Sequence, residues 1–212
     1  KIIVYFKFIS NLTIKNIHNL HYICIKIYTS ICLTMSSEFN LQSYIQPVLY
    51  ILNKAGKALD THKISKILYF ADRDHLAKYG TPISGDTYMK MQFGPVPSTI
   101  YDIIKAVQGK KGLVSTEDVQ SFFSAAEANK IIAIASFNED EFSQSEMQCL
   151  DNSIKSYLHK SFSFLTDESH DTAWDAAMYT MDELKIAKAG GADKNMLLYI
   201  KEHSEMTSAK FH

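Results

Sequence analysis

Six consecutive residues, Phe70-Ala71-Asp72-Arg73-Asp74-His75, crowd four ionisable side chains into little more than one helical turn. Arg73 is the only arginine in the chain; every other basic residue is a lysine. A lysine serves wherever only a solvated charge is needed. A guanidinium is needed for a planar, bidentate contact to a carboxylate or for stacking on an aromatic ring. His75 shares the apolar face of Ile64, Leu68 and Ala71, so the plain reading is a hydrogen-bonded core histidine and the sharper one a general acid or base. His170 and Trp174 stand four apart, the spacing of one helical face. Together with Asp72 the two histidines make an acid/base or metal group only if one cleft gathers all three. His62 and His159 supply no second metal-spaced pair. The familiar catalytic signatures are absent: the sequence has no GxSxG, HExxH, P-loop or GxGxxG. Cys149, between Gln148 and Leu150 in an amphipathic stretch, reads as a packing residue.

A different kind of chemistry is written in Phe93-Gly94-Pro95-Val96-Pro97-Ser98. Its prolines lack the amide donors that a phosphate cradle requires. They fix an extended loop that loses little entropy when a partner docks. Interfaces favour Tyr and Arg over Lys, and Tyr88, Tyr101 and Arg73 are expected near this loop as exposed side chains. The candidate contact surface is therefore Asp72, Arg73, Tyr88, Phe93, Gly94, Pro95, Pro97, Ser98 and Tyr101. His75, His170 and Trp174 are structural support in this reading, and no residue calls for a metal or cofactor.

The elements that must position these residues are mostly helical. Leu41, Tyr44, Ile45, Val48, Leu49 and Leu52 trace a helical face over residues 40–58, with Pro47 kinking the helix or starting its second part. A second helix carries Ile64 to Leu76, with Thr61 as its N-cap and Gly80 as its stop. From Ile83 to Phe93 the apolar pattern alternates, as in a strand. Ser98 is then expected to cap a helix over Thr99–Val107, closed by Gly109 and Gly112. Val119–Ser124 and Lys130–Phe137 suggest a hairpin around Glu127–Asn129. Phe142-Ser143-Gln144-Ser145-Glu146-Met147 spells a capping box and staple for a helix running to Leu158. One or two short helices over residues 161–178 and a last one near Asp193–His203 complete an α+β, mostly α-helical single domain with a small antiparallel β element.

Composition narrows the function class. Among 212 residues, 22 basic against 23 acidic side chains give a formal charge of −1, which argues against holding nucleic acid by phosphate neutralisation. Residues 1–34 lack Ala, Gly, Pro, Asp, Glu and Arg, while Phe, Ile, Lys, Tyr and Asn fill 21 of their positions. Those are residue types with A/T-rich codons, and the first methionine is Met35. The segment is expected to be a non-native or disordered extension translated from upstream DNA. Lysines, asparagines and histidines interrupt each apolar run there, against both a secretory signal and a membrane span. The expected native unit is residues 35–212, with 18 basic and 23 acidic side chains, a formal charge of −5, and Cys149 as its one cysteine. A reducing cytoplasm suits such a chain.

Several motifs occur in an order that resembles a known family. They are Lys66-Ile67-Leu68-Tyr69-Phe70-Ala71-Asp72-Arg73-Asp74-His75, Lys78-Tyr79-Gly80, Pro82-Ile83-Ser84-Gly85-Asp86, Tyr88, Phe93 to Ser98 and Ile100-Tyr101-Asp102. Phe142-Ser143, Ser145-Glu146, Leu150-Asp151 and Ser169-His170 with Trp174 continue the series. From about Leu41 to Trp174 the chain resembles the Panacea domain, the SocA-like antitoxins of bacteria and phages. The resemblance implies a non-enzymatic antitoxin that neutralises a cognate toxin by direct binding, with delivery of the toxin to a Clp-type protease in the SocA-like branch. Residues beyond Trp174 and residues 1–34 lie outside the family pattern. Two rival readings stand beside it: a small hydrolase or metal-dependent enzyme using His75, Asp72 and His170, and a DNA-binding autoregulator using Lys105, Lys110 and Lys111.

Overall fold

The computed structural model describes residues 40–209, and side chains through residue 206. The expectation for residues 1–34 lies outside the described residues.

A 19-residue helix organises everything else. Helix α1 (Leu41–Ala55) runs through Pro47 as one element, and a two-residue strand β1 (Leu59–Asp60) leads into α2 (Thr61–Tyr79). The N-cap of α2 is Asp60, one residue earlier than expected, because its carboxylate accepts from the Lys63 amide at 2.8 Å. That bond satisfies one of the amides left over at a helix start. Gly80 ends the helix in the left-handed conformation, with φ 79°, as expected. Helix α2 buries not one stripe but nearly its full girth between Ile64 and Leu76, packing against α1 before it and six elements after it.

Strands β2 (Tyr88–Met91) and β3 (Gly94–Pro97) follow as a hairpin with Gln92-Phe93 at its tip. The extended loop expected at Gly94–Pro97 is thus a paired strand. Pro95 and Pro97 are tolerated because β3 has only β2 as a ladder neighbour, which leaves one edge without need of amide donors. On the other side of β2, Lys90 donates to the Tyr179 carbonyl at 2.7 Å and Met181 to the Tyr88 carbonyl at 2.8 Å, around a Met89–Thr180 bridge.

Helix α3 (Ser98–Val107) starts directly after β3, with Pro97 rather than Ser98 in the N-cap position. A short α4 (Thr116–Val119), capped by Ser115, takes the place of the start of the expected strand. Strands β4 (Phe123–Ala126) and β5 (Lys130–Ala133) then pair antiparallel around Glu127–Asn129. The sequence pattern missed that β1 joins them, giving an antiparallel order β1-β5-β4 with Leu59 opposite Ile131. Beyond a 3₁₀ turn, α5 (Gln144–Tyr157) opens on the capping box read from Ser143 and Glu146: each side chain bonds the other's backbone amide. Helices α6 (Phe162–Ser169), α7 (Thr172–Asp175), α8 (Glu183–Ala189) and α9 (Lys194–Ala209) close the order.

Two apolar clusters result, and α2 is the wedge between them. Ile64, Ile67, Leu68 and Ala71 face α1, α3, β5 and α5 through Leu49, Ile103, Ile131 and Leu150. Tyr69, Phe70 and Leu76 face Tyr88, Leu165, Met181, Ile186 and Ile200. The architecture is α+β and mostly α-helical, with the small antiparallel element expected. No helix among the described residues is long and apolar enough to cross a membrane.

Candidate partner-binding site

A buried acidic relay sets where the hairpin stands. Asp72 is fully buried on α2, and its carboxylate accepts four bonds: the Ile83 amide at 2.6 Å, the Ser84 amide at 3.0 Å, the Ser84 hydroxyl at 2.6 Å and the Tyr88 hydroxyl at 2.7 Å. Burial pushes the Asp72 carboxyl above its usual range despite those donors, and drives the Tyr88 phenol well above its own. Ser84 Oγ in turn accepts from the Asp86 amide at 3.2 Å. Asp86 then caps α3 from a distance, accepting the Ser98 hydroxyl at 3.1 Å and the Thr99 and Ile100 amides at 3.1 and 2.9 Å. A carboxylate twelve residues upstream of Ser98 therefore performs the capping expected of that serine.

The hairpin is pinned from beneath as well. Lys66 is entirely buried and donates to the Pro95 carbonyl at 2.8 Å. Burial pulls its ammonium down to about 7. Gly94 has φ 92°, in the left-handed region that favours glycine. It lies so close to the core that a Cβ would overlap Ser169 Oγ and come within 2.8 Å of Lys66 Nζ. Trp174 adds a bond from its indole nitrogen to the Met91 carbonyl at 3.2 Å, and Lys90 lies 4.3 Å from the centre of its ring.

What this scaffold presents is an open groove of about 510 Å³ between the start of α2, the hairpin, the start of α3 and α6. Its apolar wall is Met89, Met91, Phe93, Val96, Tyr101 and Phe162. Met91, Phe93 and Phe162 are each about half exposed (52%, 50% and 52%), and Tyr101 is 41% exposed. The rings are ordered: Phe93 meets Phe162 edge-on at 5.3 Å, and Phe162 stacks on His62 at 3.9 Å. Both arrangements are ones that aromatic quadrupoles favour. His62 reaches Thr166 Oγ1 at 3.1 Å, and burial together with nearby Lys66 lowers it to about 4, so the imidazole is neutral at ordinary pH. Asp102 at the rim pairs with Lys105 at 2.8 Å.

Of the residues expected on the contact face, Phe93, Ser98 and Tyr101 line this groove. Asp72, Tyr88, Gly94, Pro95 and Pro97 are buried instead, so they hold the surface up and do not form it. The expected exposure of Tyr88 is corrected to 3%, because its hydroxyl is drawn inward to Asp72. Arg73 is also largely covered: Nη1 donates to Asp171 Oδ2 at 3.0 Å while the guanidinium lies 4.9 Å from the centre of the Phe70 ring. Contact to a carboxylate and aromatic stacking occur together, but through one nitrogen rather than a bidentate fork. Tyr69 donates to the same Asp171 oxygen at 2.8 Å, and the other oxygen caps α7 through the Ala173 and Trp174 amides. His170 and Trp174 stack at 3.7 Å and 10°, not on one helix but across the break where Asp171 starts α7. Sequence patterning missed His62, Lys66, Asp86, Met91 and Phe162. Asp86 and Lys66 stood inside the quoted motifs, whereas Phe162 reaches His62 from 100 residues away and had no local signal.

The three groups of the enzymatic alternative have separate partners. His75 is 3% exposed, with Nδ1 donating to the Thr81 carbonyl at 2.6 Å and Nε2 facing the Ser145 hydroxyl at 3.1 Å. Asp72 is committed to its four donors, and His170 stacks on Trp174 with its buried Nε2 bonded to neither of the other two groups. No group of three or more His, Cys, Asp or Glu among the described residues could hold a metal ion. In the lysine cluster of the DNA-binding alternative, Lys105 is ion-paired to Asp102 and Lys110 bonds Gln108 at 2.8 Å. Cys149 is buried, and burial raises its thiol.

No curated protein and no solved structure matches the chain. The family described as antitoxin SocA-like, Panacea domain, matches residues 64–175, which contain the α2 relay, the hairpin, α3 and the Asp171 junction. With more than half of its length so matched, the chain belongs to the SocA-like antitoxin (Panacea domain) family.

Proposed function

We infer that this antitoxin neutralises a protein toxin by direct, non-enzymatic binding, and that the groove at the hairpin tip receives it. The observation that carries this reading is the cluster of half-exposed Met91, Phe93 and Phe162 around a pre-ordered concave surface. Large apolar side chains gathered this way mark a docking face. Hairpin and helix start are already fixed by Asp72, Asp86 and Lys66, so little ordering entropy remains to be lost on binding. With His62 neutral, the groove wall offers rings and methionines more than fixed charge. The charge of −5 over residues 35–212 steers a basic partner during approach.

The test is co-expression with the product of the adjacent open reading frame, scored as rescue of growth. The Phe93→Ala/Phe162→Ala pair is expected to lose rescue and pull-down while keeping the melting temperature. Tyr101→Ala is expected to weaken both in the same direction. Full protection by the double variant would remove the groove from consideration. A toxin half-life that shortens in cells carrying both chains and a Clp-type protease assigns delivery for degradation, and an unchanged half-life assigns occlusion.

A further inference from the structure

Helices α8 and α9 build a second concave surface that shares no residue with the hairpin groove. It is a trough of about 450 Å³ floored by Leu184, Leu197 and Leu198, with Lys188, Lys194 and Lys201 on its margins. Leu198 is 58% exposed. Along α9, Lys194, Leu197 or Leu198, and Lys201 recur at the spacing of one helical face. Lys188 and Lys194 form no ion pair among the described residues, and Lys201 meets only Glu205, at 3.9 Å on the exposed surface. Such a pair contributes little and is readily exchanged for another carboxylate.

We propose that this trough is a docking site for an acidic amphipathic helix of a partner protein. Charge complementarity chooses the occupant. Residues 35–212 are acidic overall, yet exposed Leu198 and the half-buried Leu184 and Leu197 are ringed by lysines here. A helix with apolar residues at i, i+3/i+4 and i+7 and carboxylates beside them covers the leucines and answers the lysines together. A flat anionic bilayer is a poorer fit, because Asp182, Glu183 and Glu205 line the adjoining hollow and face any broad anionic surface with like charge. A single helix, roughly 10 Å across, meets less of that hollow than a bilayer does, although Leu184 and Lys201 line both. The chain's own residues 1–34 contain no Asp or Glu, so they lack the charge to occupy it. The trough lies wholly beyond the family match, which ends at residue 175, so the proposal does not depend on how the hairpin groove functions.

The experiment uses the full chain and two fluorescein-labelled helical peptides, each with leucines at i, i+3/i+4 and i+7. One carries glutamates at its remaining positions and the other lysines. Fluorescence anisotropy is expected to show saturable binding of the glutamate peptide, weakening as salt is raised, and none of the lysine peptide. Lys188→Glu/Lys194→Glu is expected to raise Kd by about tenfold or more. The melting curve should not change, because both side chains are exposed. Leu198→Ser is expected to weaken binding in the same direction. Absence of saturable binding, or equal binding by the charge-reversed variant, overturns the proposal. So does binding to phosphatidylglycerol vesicles in place of the peptide, which would make the trough a membrane face. A dimer seen by light scattering and abolished by Leu198→Ser overturns it in favour of a second copy of the chain.

Discussion

Replacing Lys66 by methionine should stabilise the protein, and more so in mild acid than in base. Burial moves the Lys66 ammonium from 10.5 to about 7. Each pH unit of such a displacement corresponds to about 1.4 kcal/mol, so holding the charge inside the fold costs about 5 kcal/mol. Below pH 7 both folded and unfolded chains carry the proton, and the whole cost is present. Between about 7 and 10.5 the unfolded chain keeps a proton that the folded one has released. Stability of the natural chain therefore rises there by up to about 1.4 kcal/mol per pH unit from this group. Methionine fills a similar volume without a charge but leaves the Pro95 carbonyl without its donor. That loss amounts to about 1–3 kcal/mol. The variant should thus be more stable by about 2–4 kcal/mol at pH 6, and the advantage should shrink to near zero by about pH 9. Urea unfolding of both chains at the two pH values reads this difference directly. An equal difference at both pH values, or a variant that is less stable in acid, would refute the assignment of Lys66 as a buried, charge-strained amine.

Asp171→Ala should destabilise the chain by about 3 kcal/mol or more, since one carboxylate serves Tyr69, the largely covered Arg73 and the cap of α7. Urea midpoints measure it, and a loss below about 1 kcal/mol would show Arg73 to be satisfied elsewhere. Gly94→Ala should fail to give folded protein, because the Cβ meets Ser169 and Lys66 in a left-handed backbone; a normal melting transition would contradict that geometry. Iodoacetamide should modify Cys149 only after unfolding, as followed by peptide mass, because the thiol is 3% exposed and raised by burial. Labelling of the native chain at the unfolded rate would contradict this.

Elements with their own punctuation were legible from residues alone. Ser143 with Glu146, Gly80 after α2 and the helical period through α1 and α5 are local signals, and local forces decide them. The Gly94–Pro97 strand was not legible, since prolines usually exclude a ladder and only its single-neighbour position makes room for two. Nor was the interior placing of Asp72 and Lys66. Charged side chains are buried only when distant groups answer them, here Tyr88 and Pro95, and periodicity carries no record of such partners. The groove was half visible for the same reason. Phe93 and Tyr101 announced themselves in a rigid motif, whereas His62 and Phe162 become neighbours only through the tertiary fold.

The strip at Tyr179–Met181 that bonds along the outer side of β2 begins four residues past the end of the family match. Cutting the chain at that boundary would strip β2 of its guard and unroof Phe70, Leu76 and Tyr88, which rest on Met181, Ile186 and Ile200. An open strand margin beside uncovered aromatics invites self-association. Anyone grafting this antitoxin module into a fusion should therefore carry the sequence through α9, treating the tail as part of the module's foundation and not as a dispensable appendix.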